Sequence, residues 1–396
     1  MNEIKKIADR MAQMMRQYKA IDATSSVVPI KPDTANKHGI DLENRNFGER
    51  QIPRCIPAFE IPGFGENIHV YASLEKKQSR KKEERNDDTI LVDPKTGLIG
   101  VFDGLGSSQG ELASGIAEKI FPSEYVACLK RAKKLSEQEI IHQITDGLLA
   151  HIEHATQQTE INSIDIQKAT QQAENIFSTD QVLAEKICAL LHAYPAIEEK
   201  ISWVQNEKNT DTKTTSCIGF IHTSPDDSRW LVMTNKGDSG AGIRHRDGNF
   251  EMITAEDSML AYMLETKQIN SDILQAMRAF PEKKETFLYE GRKIKLSYYY
   301  LKAMMSACIG DGTSSATVTV TELLPGDTVI IGTDGLWDKF EKKFSDETDL
   351  EKLSKLLGDE TQTPEEKLNE VRMEAMFQKT AAKIEDDFGA VMITVA

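Results

Sequence analysis

Aspartate-bearing stretches stand at the edges of short, apolar, β-prone runs at four places in the chain. NDD at 86–88 and EDD at 385–387 come just before such runs, and FDG at 102–104 and TDG at 333–335 just after them. No other feature constrains the fold as tightly. Strands buried in a sheet leave their ends at a common edge, so a chain written this way gathers carboxylates in one place. A single aspartate at a strand end is ordinarily a turn former. Four such places, with Gly104 and Gly335 following two of them, point to convergence on a hard cation along tight backbone paths. An all-oxygen donor set suits Mg2+ or Mn2+ rather than zinc or copper.

The rest of the pattern places these stretches in a larger frame. Ile4, Ile7, Met11, Met14, Tyr18 and Ile21 follow helical spacing and predict an amphipathic helix over 1–22. Docking on the protein's own core or on a partner is the expected use of that stripe, with a membrane-surface anchor as the alternative. Residues 23–66 are rich in Pro, Gly, Asn and Asp, show no period, and read as an extended arm or linker. From IHVYAS at 68 the pattern turns to β. TILV at 89–92 and LIGVF at 98–102 flank the turn DPKTG and predict a hairpin. Residues 111–203 carry apolar residues at three- and four-residue spacing and predict helices. Strands are expected again at TSCIGFIHT, at RWLVMTN, within TVTVTELLPGDTVIIG and at the closing AVMITV, with a helix around 365–384. Strands at both ends with helices between them predict a layered α+β fold.

Composition removes some functions. Lys and Arg number 48 against 63 Asp and Glu, a net charge of −15. Nucleic acid and anionic membranes demand a basic face, so neither is expected as the main partner. Cys55, Cys128, Cys188, Cys217 and Cys308 are far apart and form no CxxC, which suits a reducing compartment and no zinc cluster. No run approaches a transmembrane span, and the first residues lack the apolar core of a signal peptide. A cytoplasmic protein with no membrane insertion is the expectation.

The acidic stretches are also ordered blocks. NDDTIL, VFDGLG, DTKTTSCIGF, KGDSGAGI, ITAEDS, PGDTVIIGTDGLWD and EDDFGAVMITV follow one another along 68–396. In that order they resemble the metal-dependent protein phosphatases, the type 2C serine/threonine class in its bacterial form. The resemblance implies a layered β-sandwich of two antiparallel sheets flanked by helices, with a binuclear metal site at one end. The phosphatase domain would occupy 67–396. It also implies roles. Asp103 would bridge two Mn2+ or Mg2+ ions, and the carbonyl of Gly104 would bind one. Asp334 and Asp386 would ligate from the far strands. Asp87 and Asp88 would ligate or hold the metals' waters, and Asp211 stands where many members ligate a third, weaker metal. The implied reaction is hydrolysis of phosphoserine and phosphothreonine monoesters in a phosphorylated protein substrate by metal-activated water, without a protein nucleophile.

The chain departs from the family pattern at several points. Leu105 stands where eukaryotic members often carry a His proposed as general acid. Asp87 replaces the usual Glu. The position expected for a phosphate-binding Arg is Glu83, leaving Arg80 and Arg85 as the nearest candidates. These changes raise an alternative, a pseudophosphatase that binds partners without turnover. The helical stretch before Asp211 is longer than usual and implies an insertion at about 120–205. Asp387-Phe388-Gly389 spells a kinase motif, but the other kinase signatures are missing. His151 and His154 lack a third ligand and read as surface residues. Trp337 reads as core beneath the site, and Gly310-Asp311-Gly312 as a turn. Oligomeric state is not legible.

Overall fold

The computed structural model describes residues 55–75 apart from 65–66, 87–156 apart from 106–109, and 163–257 apart from 256. It further describes scattered positions from 260 to 301 including 283–289 and 292–298, and 307–396 apart from 313–315, 341–348 and 377–386. The helix expected over 1–22 and most of the arm expected over 23–66 therefore lie outside the described residues. The chain divides into two compact units, residues 46–257 with 307–396 and residues 1–45 with 258–306.

The first unit holds two antiparallel sheets. One runs β1 (Cys55–Ile61), β2 (Ile68–Glu75), β15 (Phe388–Val395), β14 (Thr328–Gly332), β9 (Gly240–Arg244) and β10 (Phe250–Met252). The other runs β13 (Thr317–Leu323), β8 (Arg229–Lys236), β7 (Ser216–Thr223), β4 (Leu98–Phe102) and β3 (Thr89–Asp93). A short pair, β5 (Gly104–Leu105) with β6 (Lys213–Thr214), lies beside them in sequence. The hairpin predicted around DPKTG is β3–β4, with Thr89 opposite Phe102 and Asp93 opposite Leu98. The end of the stretch read as an arm is a sheet strand: β1 pairs with β2 through a register shift between Ile56 and Phe59. Its mixed pattern, CIPAFEI, hides the strand because Pro57 and an edge position leave little alternation to read.

The two sheets face each other. Val70, Val329, Ile331, Val391 and Ile393 of the first sheet share one core with Ile99, Val101, Leu231 and Met233 of the second. On the outer side of the first sheet, Ile330, Ala390 and Met392 pack on α5 (Asp334–Phe340), α6 (Asp349–Gly358) and α7 (Pro364–Met376) through Leu336, Trp337, Leu353 and Leu368. Burial on both faces explains why these strands read as continuous apolar runs rather than alternating ones. α7 ends at Met376, and the remainder of the helix expected around 365–384 lies outside the described residues.

The second sheet is covered by helices from the long middle segment: α1 (Gly110–Ala132), α2 (Glu137–Thr156), α3 (Ser163–Thr179) and α4 (Gln181–Lys208). Phe121 of α1 meets Phe102 of β4 and the edge of Tyr194 of α4, with ring centroids 6.1 and 5.3 Å apart. The Tyr194 hydroxyl lies 3.0 Å from Thr234 Oγ1 and accepts from Ser216 Oγ, so this aromatic keeps its polar end satisfied inside the core. Asp180 caps α4 by accepting from the Leu183 amide, and Asn209 ends it in the left-handed region. Helix, sheet, sheet and helix thus form four layers, the α+β sandwich expected from the sequence. The second unit's regular part is a hairpin, β11 (Glu285–Tyr289) with β12 (Arg292–Leu296). No helix among the described residues is long and apolar enough to cross a membrane.

Candidate metal centre

The acidic strand ends meet at one edge of the sandwich. Asp87 and Asp88 lead into β3, and Asp103 follows β4 on the neighbouring strand. The Gly104 amide donates to the Asp87 carbonyl at 3.1 Å, and Ser114 Oγ of α1 donates to the same oxygen at 2.6 Å. Asp87 Oδ1 accepts from the Glu111 amide at the start of α1, a helix end whose free amides favour an anion. One oxygen of Asp87 is thereby committed to the helix. A Cβ on Gly104 would lie 2.3 Å from Gly110 backbone and 2.6 Å from the Asp87 carbonyl oxygen, so only glycine allows these three segments to touch.

The far strands close the same edge. Asp387 Oδ2 accepts from the Asp87 amide at 2.7 Å. Thr333, between β14 and α5, donates its hydroxyl to Asp88 Oδ2 at 2.7 Å and its amide to the Gly389 carbonyl at 3.0 Å. Asp334 follows in the first turn of α5. Gly335 passes so close to the Asp387 carbonyl oxygen that an added Cβ would lie 1.8 Å from it. Asp88 and Asp103 are buried, at 1% and 7% exposure. The Asp103 carbonyl accepts from the Thr215 amide at 2.8 Å and from Thr214 Oγ1 at 2.7 Å, which fixes the backbone of Asp103 and Gly104.

The structure thus brings Asp87, Asp88, Asp103, Gly104 and Asp334 to one edge. Asp211 lies just before β6, half exposed, with its Oδ1 3.1 Å from the Nζ of Lys213, the first residue of that strand. Arg80 and Asp386 lie outside the described residues. Among the described residues, no three carboxylate, thiolate or imidazole groups form a metal-ready cluster by themselves. The donors the resemblance implies for one ion are Asp103 and the Gly104 carbonyl, and for the other Asp103, Asp334 and Asp386, with Asp87 and Asp88 as further ligands or holders of its waters. The first set includes a backbone oxygen, and the second includes a residue outside those described. Buried carboxylates and a backbone carbonyl at one strand edge are the donor chemistry of a hard divalent cation, and the residues present fit it.

Sequence reasoning missed Thr333, Asp387 and the pair Thr214–Thr215 as the residues that hold the acids in place. Each sits inside a block already singled out, so adjacency to an acid was the available signal. Trp337 is core, as expected, with Nε1 donating to the Gly240 and Gly332 carbonyls. His151 Nδ1 lies 3.2 Å from Thr319 Oγ1.

A family model described as protein phosphatase 2C matches residues 77–371, and the chain belongs to that family. It is a metal-dependent phosphoprotein phosphatase of the serine/threonine class, dependent on Mn2+ or Mg2+. The chain is similar to the serine/threonine phosphatase PstP/Ppp of Mycobacterium tuberculosis, at 16% identity over 83% of this chain and 98% of that one, TM-score 0.46. It is similar to PppA, a key regulatory component of T6SS in Pseudomonas aeruginosa, at 14% identity over 84% and 99%, TM-score 0.47. A third likeness is the PstP catalytic domain in complex with two manganese ions, at 15% identity over 83% and 98%, TM-score 0.47. No curated protein matches the chain.

Proposed function

We propose that Asp103, Gly104, Asp334 and Asp386 hold two divalent cations, with Asp87 and Asp88 completing the set, and that the substrate is a phosphoserine or phosphothreonine side chain of a protein. When bound, the two ions supply the Lewis acidity that activates water and offsets charge on the phosphoryl group. The chain's own residues hold the donors. Asp103 presents its carboxylate from a backbone fixed by Thr214 and Thr215. Asp88 is oriented by the Thr333 hydroxyl. Asp87 is held between the α1 amide and Asp387. The observation that carries the reading is the bracing at one edge of the acids of β3, β4 and β15, through Asp387 to Asp87, Gly104 to Asp87, and Thr333 at the end of β14 to Asp88.

The phosphatase domain spans 67–396 in this reading, extended at its start by β1, and its additional helices lie within 120–205. Arg80 is the proposed phosphate-binding cation, Leu105 supplies no proton to the leaving group, and Asp211 is a peripheral third-ion ligand. The binding-only alternative is not favoured, because each acid block is retained. Hydrolysis of phosphoserine and phosphothreonine peptides should require Mn2+ or Mg2+ and cease with EDTA. Asp103→Asn and Asp334→Asn should each lower it at least a hundredfold while the protein stays folded. Full activity in both variants would refute the assignment.

A further inference from the structure

The metal edge is tied to α4 by side chains that no acidic block contains. β6 stands between β5 and the segment 308–312. Gly104 faces Thr214 across the β5–β6 pair, and Thr214 faces Ile309 on its other side. Thr214 and Ile309 exchange both backbone hydrogen bonds, at 3.1 and 2.8 Å. The ladder Gly104–Thr214–Ile309 therefore carries the backbone of the expected ligands outward to the Gly310-Asp311-Gly312 turn.

Two residues of α4, one above the other at i and i+7, grip that turn. Glu198 Oε1 accepts from the Gly310 and Gly312 amides at 2.9 and 2.7 Å. Its other oxygen accepts from Lys236 Nζ at 3.2 Å. Lys236 is 3% exposed, ends β8 and also reaches Asp311 at 3.8 Å. Gln205 Nε2 donates to both the Thr212 carbonyl, 2.7 Å away, and the Gly310 carbonyl, 2.8 Å away. Gln205 thus clips together the two segments whose pairing sets Thr214. Glu198 clips the same turn to the strand that leads into Gly237-Asp238-Ser239, where Ser239 Oγ lies 2.6 Å from Thr215 Oγ1. Thr214 and Thr215 in turn hold the Asp103 carbonyl.

We propose that Glu198 and Gln205 are positioning residues for the metal ligands Asp103 and Gly104, acting through the 308–312 turn and β6. The inference rests on the metal assignment proposed above. A helix from the segment read as an insertion then sets how well the site holds its ions, although among the described residues neither side chain hydrogen-bonds a ligand side chain. Partners that orient metal ligands from outside typically change metal affinity roughly 10–100-fold when removed.

The test is Mn2+ titration by calorimetry on the full chain, with melting in EDTA measured alongside. Gln205→Met keeps the volume and removes both donations. Glu198→Gln keeps an acceptor for the turn and removes the charge opposite Lys236. Each should raise the Mn2+ Kd roughly tenfold, while kcat at saturating Mn2+ stays close to wild type. A role in fold stability alone would lower the melting temperature and leave the Kd unmoved, and that result overturns the proposal. If Gln205→Met does not fold, Glu198→Gln decides. If neither folds, the residues hold the fold rather than the site, and the proposal falls. Asp103→Asn run beside them keeps the two readings apart. Loss of Mn2+ binding there with normal binding in the α4 variants sinks only the positioning role. Normal binding in Asp103→Asn sinks the metal assignment itself.

Discussion

Thr333 Oγ1 donates a 2.7 Å hydrogen bond to Asp88 Oδ2, joining residues 245 positions apart in sequence. The same hydroxyl accepts from the Gly389 amide at 3.1 Å. One side chain therefore locks the start of β3 to the ends of β14 and β15. Thr333→Val is nearly isosteric but removes the donor to a buried carboxylate and the acceptor for a buried amide. Leaving such groups short of a bond costs about 1–3 kcal/mol. The variant should melt several degrees lower in EDTA and lose roughly tenfold or more in Mn2+ affinity, whereas Thr333→Ser should keep both near wild type. Melting curves and metal titration of the two variants check this, and a Thr333→Val that matched wild type would contradict it.

Gly335→Ala tests the closest approach at the site. The added methyl would lie 1.8 Å from the Asp387 carbonyl oxygen, a backbone atom that cannot step aside alone. Asp387 also holds the Asp87 amide, so a shift there displaces Asp334 and Asp87 together. Metal-dependent hydrolysis of p-nitrophenyl phosphate should fall by tenfold or more, since misplacement by about 1 Å can cost on the order of a hundredfold. A fully active variant would show that the edge is looser than its geometry.

The acids were legible because their chemistry demands a particular residue at a particular strand end. Asp103 beside Gly104, and Asp334 beside Gly335, announce themselves as an acid followed by a residue that permits close backbone passage. The long apolar runs of β4 and β14 were legible for a related reason: burial on both faces leaves no polar positions to blur them. What could not be read is what holds the acids. Thr333, Thr214 and Asp387 act through hydrogen bonds to residues far away in sequence, and nothing in their local pattern separates them from ordinary turn formers. Glu198 and Gln205 are harder still, since charged and amide side chains on a helix are commonplace. β1 escaped because an edge strand containing Pro57 needs no alternation to pair with β2.

The cysteines should prove irrelevant to turnover. Cys128, Cys188, Cys217 and Cys308 are free and buried. Burial pushes the Cys188 thiol up to about 12, and pushes the other three upward as well. A thiol held protonated is a poor nucleophile, which agrees with hydrolysis by metal-activated water. Iodoacetamide at mildly alkaline pH should leave metal-dependent hydrolysis unchanged, and these four thiols should label only after denaturation. Mass spectrometry of labelled peptides reads the outcome. Inactivation that tracked alkylation of any of the four would point to a thiol in the reaction.

His245 gives the fold a pH dependence of definite sign. Nδ1 lies 3.3 Å from Asp327 Oδ1, and Nε2 lies 3.3 Å from Glu251 Oε1. Burial pulls the imidazole pKa down, but the Glu251 hydrogen bond and the Asp327 charge outweigh it, and the net shift is upward from 6.5. A group whose folded pKa is raised takes up its proton more readily in the native state. Its stabilisation is therefore fully present below the unfolded value and is lost as pH rises through the folded one. The window opens near 6.5 and extends upward. Urea unfolding in EDTA, compared at pH values on either side of that window, should show wild type losing more stability with rising pH than His245→Gln. Asp327 also accepts from the Leu324 amide at 2.9 Å, so the carboxylate stays anchored in the turn between β13 and β14 when the imidazole is replaced. The variant therefore tests the proton rather than the turn. Identical pH slopes in the two proteins would show that His245 binds its proton equally well in the folded and unfolded chains.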